Sequence, residues 1–153
     1  MKKSIFTILF AFTAITAVLA REGGIDSRVE KAFKSKFSSA TDVTWRKSET
    51  NYQVTFTSHQ AVLNATFSGR GKLLEVKTNI SPLGLPLLLQ KSLKTYCDGR
   101  WVIDLVEISK GDVKAYFVTL ESPDNKIMME SVAGSNWEMI SVLNKDTNSI
   151  INI

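Results

Sequence analysis

Two short stretches decide the fold: NYQVTF at Asn51–Phe56 and AYFVTL at Ala115–Leu120. In the first, Tyr52, Val54 and Phe56 alternate with Gln53 and Thr55. In the second, Tyr116, Val118 and Leu120 alternate with Phe117, Thr119 and Glu121. A period of two gives a β-strand one face for a core and one face for something else. The chain therefore writes nearly the same strand twice, and what surrounds each copy decides whether a whole unit is repeated.

Upstream of the first copy, Val43 and Trp45 alternate with Thr44 and Arg46, which makes another strand. Before that strand, Ile25, Val29, Ala32, Phe33 and Phe37 fall on one face at helical spacing, and Ser27-Arg28-Val29-Glu30 has the capping-box form. Downstream, TSHQ (57–60) reads as a hairpin connection to Ala61, Leu63, Ala65 and Phe67, and SGRGK (68–72) turns the chain into Leu73–Val76. The second copy has the same setting. SPLGLP (81–86) is a breaker-rich linker with Pro86 suited to the first turn of a helix, and Leu89, Leu93 and Tyr96 continue a helical stripe that Asp98-Gly99 stops. Trp101–Ile108 is an apolar strand, SKGD and SPDN are turns, and Ile127–Val132 and Trp137–Leu143 are further strands, with Gly134-Ser135-Asn136 between them. The C-terminal NKDTNSIINI leaves two readings, an added edge strand or a loose tail.

The expected fold is α+β: two tandem units of one helix and four antiparallel strands, forming one continuous antiparallel sheet with both helices on one face. The units span 21–80 and 87–153, joined by the linker at 81–86.

Residues 1–20, MKKSIFTILFAFTAITAVLA, read as a secretory signal peptide: Lys2 and Lys3, an apolar run, and Val18-Leu19-Ala20 ahead of Arg21. Thr7, Thr13 and Thr16 make the run a poor membrane span, which favours cleavage over anchoring, and no cysteine follows it to carry a lipid. Export to the periplasm or the outside of the cell follows, with no stable membrane insertion after cleavage. Loss of Lys2 and Lys3 lowers the formal charge from +4 to +2. The remaining cations are scattered; Lys31, Lys34 and Lys36 read as the wet face of one helix. Nothing resembles the basic stripe with aromatic platforms that nucleic acid requires. Cys97 is the one cysteine, so no internal disulfide forms and the core alone holds the fold.

Catalytic patterns are missing. One histidine, His59 in a hairpin loop, and Cys97 at a helix end form no motif; both read better as loop residue and small apolar filler. GxSxG and HExxH do not occur, and SGRGK joins two strands instead of opening a helix, which makes it a turn and not a phosphate cradle. Asp104 and Glu107 are three apart on a strand and so point to opposite faces. Asn64-Ala65-Thr66 and Asn79-Ile80-Ser81 match the glycosylation sequon, which carries little meaning in a bacterial chain. No cofactor, metal site or catalytic residue is expected.

The signal peptide, VTWRKSETNYQVTF (43–56), LPLLLQKSLKTY (85–96) and the second Tyr-x-Val strand together resemble the PepSY-like, β-lactamase-inhibitor-protein-like family of small secreted bacterial proteins. The resemblance covers nearly all of the chain after residue 20 and implies the same tandem fold. Two places depart from it. Such repeats often carry an acidic residue where this chain reads Phe67-Ser68-Gly69 and Ser131-Val132-Ala133. The family offers no catalytic motif to transfer, and its name suggests inhibition only by analogy of shape.

The remaining positive feature is the sheet face turned away from the helices. Arg46, Gln53, Thr55, Phe117, Thr119 and Glu121 are expected there as a candidate interaction face, although such faces are also rich in Thr and charge for solubility alone. The expected function is a secreted, non-catalytic protein-binding role, with inhibition or modulation of an extracytoplasmic peptidase or other envelope enzyme as the specific form. A small-molecule or metal-binding periplasmic module is the alternative. Oligomeric state is left open.

Overall fold

The computed structural model describes residues 24–134, 136–147 and 149–153. The expected signal peptide at 1–20 and Ser135 of the expected turn lie outside the described residues. The order is α1 (Ser27–Lys36), β1 (Thr41–Lys47), β2 (Asn51–Ser58), β3 (Ala61–Ser68), β4 (Leu73–Asn79), a 3-10 turn (Pro82–Gly84), α2 (Leu87–Tyr96), β5 (Trp101–Lys110), β6 (Val113–Glu121), β7 (Asn125–Val132), β8 (Glu138–Asn144) and β9 (Ser149–Asn152). The nine described strands pair antiparallel in chain order as one sheet, which is the expected α+β arrangement. The second unit carries one strand more than the expected four, because the C-terminal tail takes the edge-strand reading and pairs with β8.

Register places both helices on one face. Val54 stands opposite Ala65, Ala65 opposite Val76, Val76 opposite Ser109 and Ser109 opposite Lys114. Directly opposed residues share a face, as do residues two apart, so Tyr52, Val54 and Phe56 lie on the same side as Tyr116, Val118 and Leu120. Val29 and Phe33 of α1 pack into the first of these sets together with Ala65 and Phe67. Phe33 is the hub: its ring centroid lies 5.2 Å from Trp45, 5.1 Å from Phe56 and 6.3 Å from Phe67, all edge-on. That geometry sets the positive ring edge against the negative ring face and adds about 0.5–1.5 kcal/mol per pair to burial. Leu89 and Leu93 of α2 pack into the second set with Leu105, Ile127, Met129 and Trp137. Trp137 satisfies its buried Nε1–H by donating to the Leu89 carbonyl at 3.2 Å, which ties the segment just before β8 to α2. Cys97 ends α2 half-buried against this cluster, as filler.

The two clusters are separate. Between them the helix side of β4 to β6 carries Thr78, Glu107, Ser109 and Lys114, and Lys114 Nζ sits 2.8 Å from Glu107. Burial, then the Glu107 charge, pushes the Tyr116 phenol above its ordinary range.

Helix α1 corrects one expectation. Asp26, not Ser27, is the N-cap: its Oδ1 accepts from the Arg28 backbone N–H at 2.9 Å, and the Arg28 guanidinium holds the same carboxylate at 2.7 Å. Those side-chain and backbone hydrogen bonds bring its pKa down to about 2. An aspartate one residue earlier outcompetes a serine hydroxyl because a charged acceptor also complements the positive end of the helix. In α2, Pro86 occupies the N-cap position, one residue before the first turn where it was expected, and makes no side-chain cap hydrogen bond.

Two turns set the geometry of the first unit. His59 (φ 49°) and Gln60 (φ 66°) form a two-residue hairpin loop with both residues left-handed, which matches the twist of the flanking strands. Gly71 (φ 81°) brings the β3–β4 turn under α1, where a Cβ would lie 2.8 Å from the Arg28 carbonyl oxygen; only glycine fits.

Candidate interaction face

The sheet face away from the helices holds all six expected residues, but not as one group. Arg46 stands opposite Gln53 on β1 and β2, and Thr55 donates its hydroxyl to Asn64 on β3 at 2.7 Å. Arg46, Gln53 and Thr55 are exposed. Phe117, Thr119 and Glu121 lie on β6, four strand spacings from β2, or about 19 Å. The face therefore has a polar, threonine-rich half and a second half of different character.

That second half is apolar at its centre. Phe117 is opposite Val106 on β5 and Glu130 on β7, and Ile108 is opposite Ala115. Val106, Ile108, Ala115 and Phe117 form a third buried cluster with Ile140 packed against it. Phe117, expected as an exposed aromatic, is only 7% exposed. It sits on a central strand, where large neighbours on both sides close over it. A narrow depression is floored by Val106, Ile108, Phe117 and Met128 and rimmed by Lys77, Asp104 and Thr119. Asp104 lies here opposite Thr119, while Glu107 lies on the helix side opposite Tyr116, as their spacing requires.

Charge around the depression is organised. Glu121 is held by Lys145 at 2.6 Å and by Lys126 at 3.7 Å. The Lys145 hydrogen bond is the main reason its carboxyl lies below the usual range. Lys110 pairs with Glu75 at 3.4 Å across the junction of the two halves. Glu130 differs: burial first, and then Glu138 directly opposite on β8, holds its carboxyl above the usual range.

Sequence reasoning missed Val106, Ile108 and Met128. The signal that points to Val106 and Ile108 is the run Trp101–Ile108, whose apolar residues do not alternate cleanly, as in a strand with apolar contacts on both faces; Met128 lies on β7, outside that run. It also missed a patch on the α2 side, where Leu83, Leu87 and Leu88 are 84%, 63% and 67% exposed.

His59 is exposed in the β2–β3 turn and Cys97 is at the end of α2, so the two lie in different units and form no dyad. Among the described residues, no group of three or more His, Cys, Asp or Glu comes together, and no helix is long and apolar enough to cross a membrane. What the face offers chemically is shape, an apolar depression and paired charge.

No family model and no curated protein matches the chain. Solved structures do. A BLIP-like protein from Bacteroides fragilis is 17% identical and superposes with a TM-score of 0.67 over 75% of this chain and 84% of that one. A DUF2874 family protein from Bacteroides ovatus is 15% identical, with a TM-score of 0.68 over 80% and 89%. A candidate periplasmic protein from Bacteroides eggerthii is 13% identical, with a TM-score of 0.67 over 77% and 91%. At such identities the likeness is one of architecture, and it bears on the BLIP-like part of the resemblance read from the sequence: the chain is similar in fold to BLIP-like and DUF2874 proteins of Bacteroides.

Proposed function

We propose that the chain is an exported, non-catalytic binding protein of PepSY-like and BLIP-like type, and that it engages another protein through the sheet face away from the helices. The observation that carries the reading is the composition of that face. An apolar depression at Phe117, Val106 and Met128, rimmed by Lys77, Asp104 and Thr119, shares this face with an exposed polar field of Arg46, Gln53 and Thr55 about 19 Å across the sheet. A desolvated apolar centre with an adaptable polar surround is the anatomy of a protein interface. Its specific form is inhibition or modulation of a peptidase or other enzyme of the cell envelope. Export rests on the leader read at residues 1–20.

The test uses substitutions at exposed or rim positions. The purified protein is immobilised and exposed to an envelope fraction of its own cells, and bound proteins are identified by mass spectrometry. A saturable partner lost on Thr119→Arg and on Gln53→Arg, but kept on Lys94→Glu on the exposed side of α2, supports the reading. A partner lost only on changes at Leu83 or Leu87 moves the site to the helix side. Failure to slow any envelope hydrolase at micromolar concentration removes the inhibitor form while leaving binding intact.

A further inference from the structure

The two edges of the sheet are built differently. Strand β1 is defended: it carries a bulge between Thr41 and Thr44, Asp42 in a left-handed conformation (φ 52°), and exposed Arg46 and Lys47. Irregularity and charge are the usual devices that stop an edge from pairing with another chain. Strand β9 has neither. Ser149, Ile150, Ile151 and Asn152 are uncharged and regularly paired with β8, and Ile150, Ile151 and Ile153 are 67%, 53% and 74% exposed.

The backbone at this edge is specific about what it can accept. Ile153 donates its N–H to the Ile140 carbonyl at 3.1 Å, in the same register as the β8–β9 pairs. Hydrogen-bonded and non-bonded pairs alternate along an antiparallel ladder. Ile151 and Ser149 therefore bond inward, while Ile150 and Asn152 turn their N–H and C=O groups outward to the free side.

We propose that β9 is a self-association edge, and that its occupant is β9 of a second copy of this chain, antiparallel about a two-fold axis at Ile151. This register is the one that uses all of 149–153. It sets Ile150 opposite the partner copy's Asn152 and the reverse, so all four outward backbone groups on each chain are matched. It sets Ile151 opposite its own copy as a non-bonded pair, the kind in which side chains approach most closely. No charge opposes a like charge. The axis stands perpendicular to the sheet, so both copies present their helix-free faces on the same side, and two nine-stranded sheets join into one. The contact lies on a different surface from the one proposed to bind a partner protein and does not depend on it. Five residues from each side bury far less than the roughly 1,200 Å² typical of stable complexes, so the dimer dissociates on dilution, with half-association in the micromolar-to-millimolar range.

The experiment is sedimentation equilibrium over that range on protein expressed from the full chain and purified in the form cells accumulate. The expected result is an average mass rising from one chain towards two, with the rise abolished by Ile151→Lys and by Ile150→Lys but unaffected by Lys47→Ala on the opposite edge. A separate variant, Ile151→Cys, reads the register: under added oxidant it should cross-link to a two-chain species, whereas Thr57→Cys should not. A single-chain mass at every concentration overturns the proposal. So does a dimer that survives both lysine substitutions in protein whose circular dichroism matches the parent. Should either lysine variant fail to fold, the cross-linking of Ile151→Cys decides alone.

Discussion

At neutral pH the structure holds Glu130 at a disadvantage, and removing its charge should stabilise the protein. Glu130 is half-buried on β7, with the aromatic ring of Phe117 opposite on one side and the Glu138 carboxylate opposite on the other. Burial and then Glu138 hold its carboxyl above the usual range. A group whose folded pKa is raised adds stability that is fully present below its unfolded pKa and is lost as pH rises through the folded value. Glu130→Gln keeps the shape and the hydrogen-bonding capacity of the protonated form. Its advantage should thus be absent near pH 3, where both states of the parent already hold the proton, and should grow as pH rises through the unfolded carboxylate range towards pH 7. Directly opposed like charges on neighbouring strands cost roughly 0.2–1 kcal/mol. With partial burial added and solvent screening subtracted, about 0.5–1 kcal/mol is expected, equivalent to a rise of about 2–4 °C in Tm for a domain of this size. Urea titrations of parent and variant at pH 3 and pH 7 read the difference directly, and Glu138→Gln should recover part of the same gain without adding to it, because both remove one repulsion. Equal stabilisation at the two pH values, or a loss at pH 7, would refute the reasoning and show that the Glu130 charge is compensated.

Three further outcomes follow from the packing. Phe33→Ala removes the hub of the first aromatic cluster and should lower stability by about 3–5 kcal/mol in chemical denaturation, a large part of what a domain of this size has. Gly71→Ala sets a Cβ against the Arg28 carbonyl at φ 81° and should cost about 1–3 kcal/mol, read as a lower urea midpoint with unchanged slope. The double change His59→Asn with Gln60→Gly relieves two left-handed non-glycine residues and should raise stability by about 1–2 kcal/mol in thermal unfolding.

What the sequence made legible follows from the range of each signal. Alternation at Tyr52–Phe56 and Tyr116–Leu120 is local, and it was enough to predict the strands, their buried faces and the side on which the helices sit. The six face residues were also placed on the correct side. Their grouping was not legible, because distance across a sheet depends on how many strands intervene, and that is a property of pairing. Exposure failed at Phe117 for the same reason: its enclosure comes from Val106, Ala115 and Ile140, of which only Ala115 is close in sequence. The cap at Asp26 was missed through competition between neighbours, since aspartate and serine both cap and the pattern alone does not rank them.

The repeat also explains where the two halves diverge. In the first unit Tyr52 is opposite Phe67, and in the second Tyr116 is opposite Ser131, a buried residue whose Oγ has no partner among the described residues. A phenylalanine at that position would add a large ring beside Tyr116, whereas the second unit places Trp137 in its helix-side cluster, bonded to Leu89. The helix-side core is thus filled by different means in the two units. On the other side the difference is larger. Val106, Ile108 and Phe117 give the second unit an apolar centre, while the strands of the first present Gln53, Thr55, Asn64 and Thr66. Two units under the same folding constraint need the helix-side face alike, and nothing in folding requires the other face to differ. The larger asymmetry lies on the face turned away from the helices, where the second unit buries Val106, Ile108, Ala115 and Phe117 and the first presents polar side chains, and that is the face proposed to meet a partner.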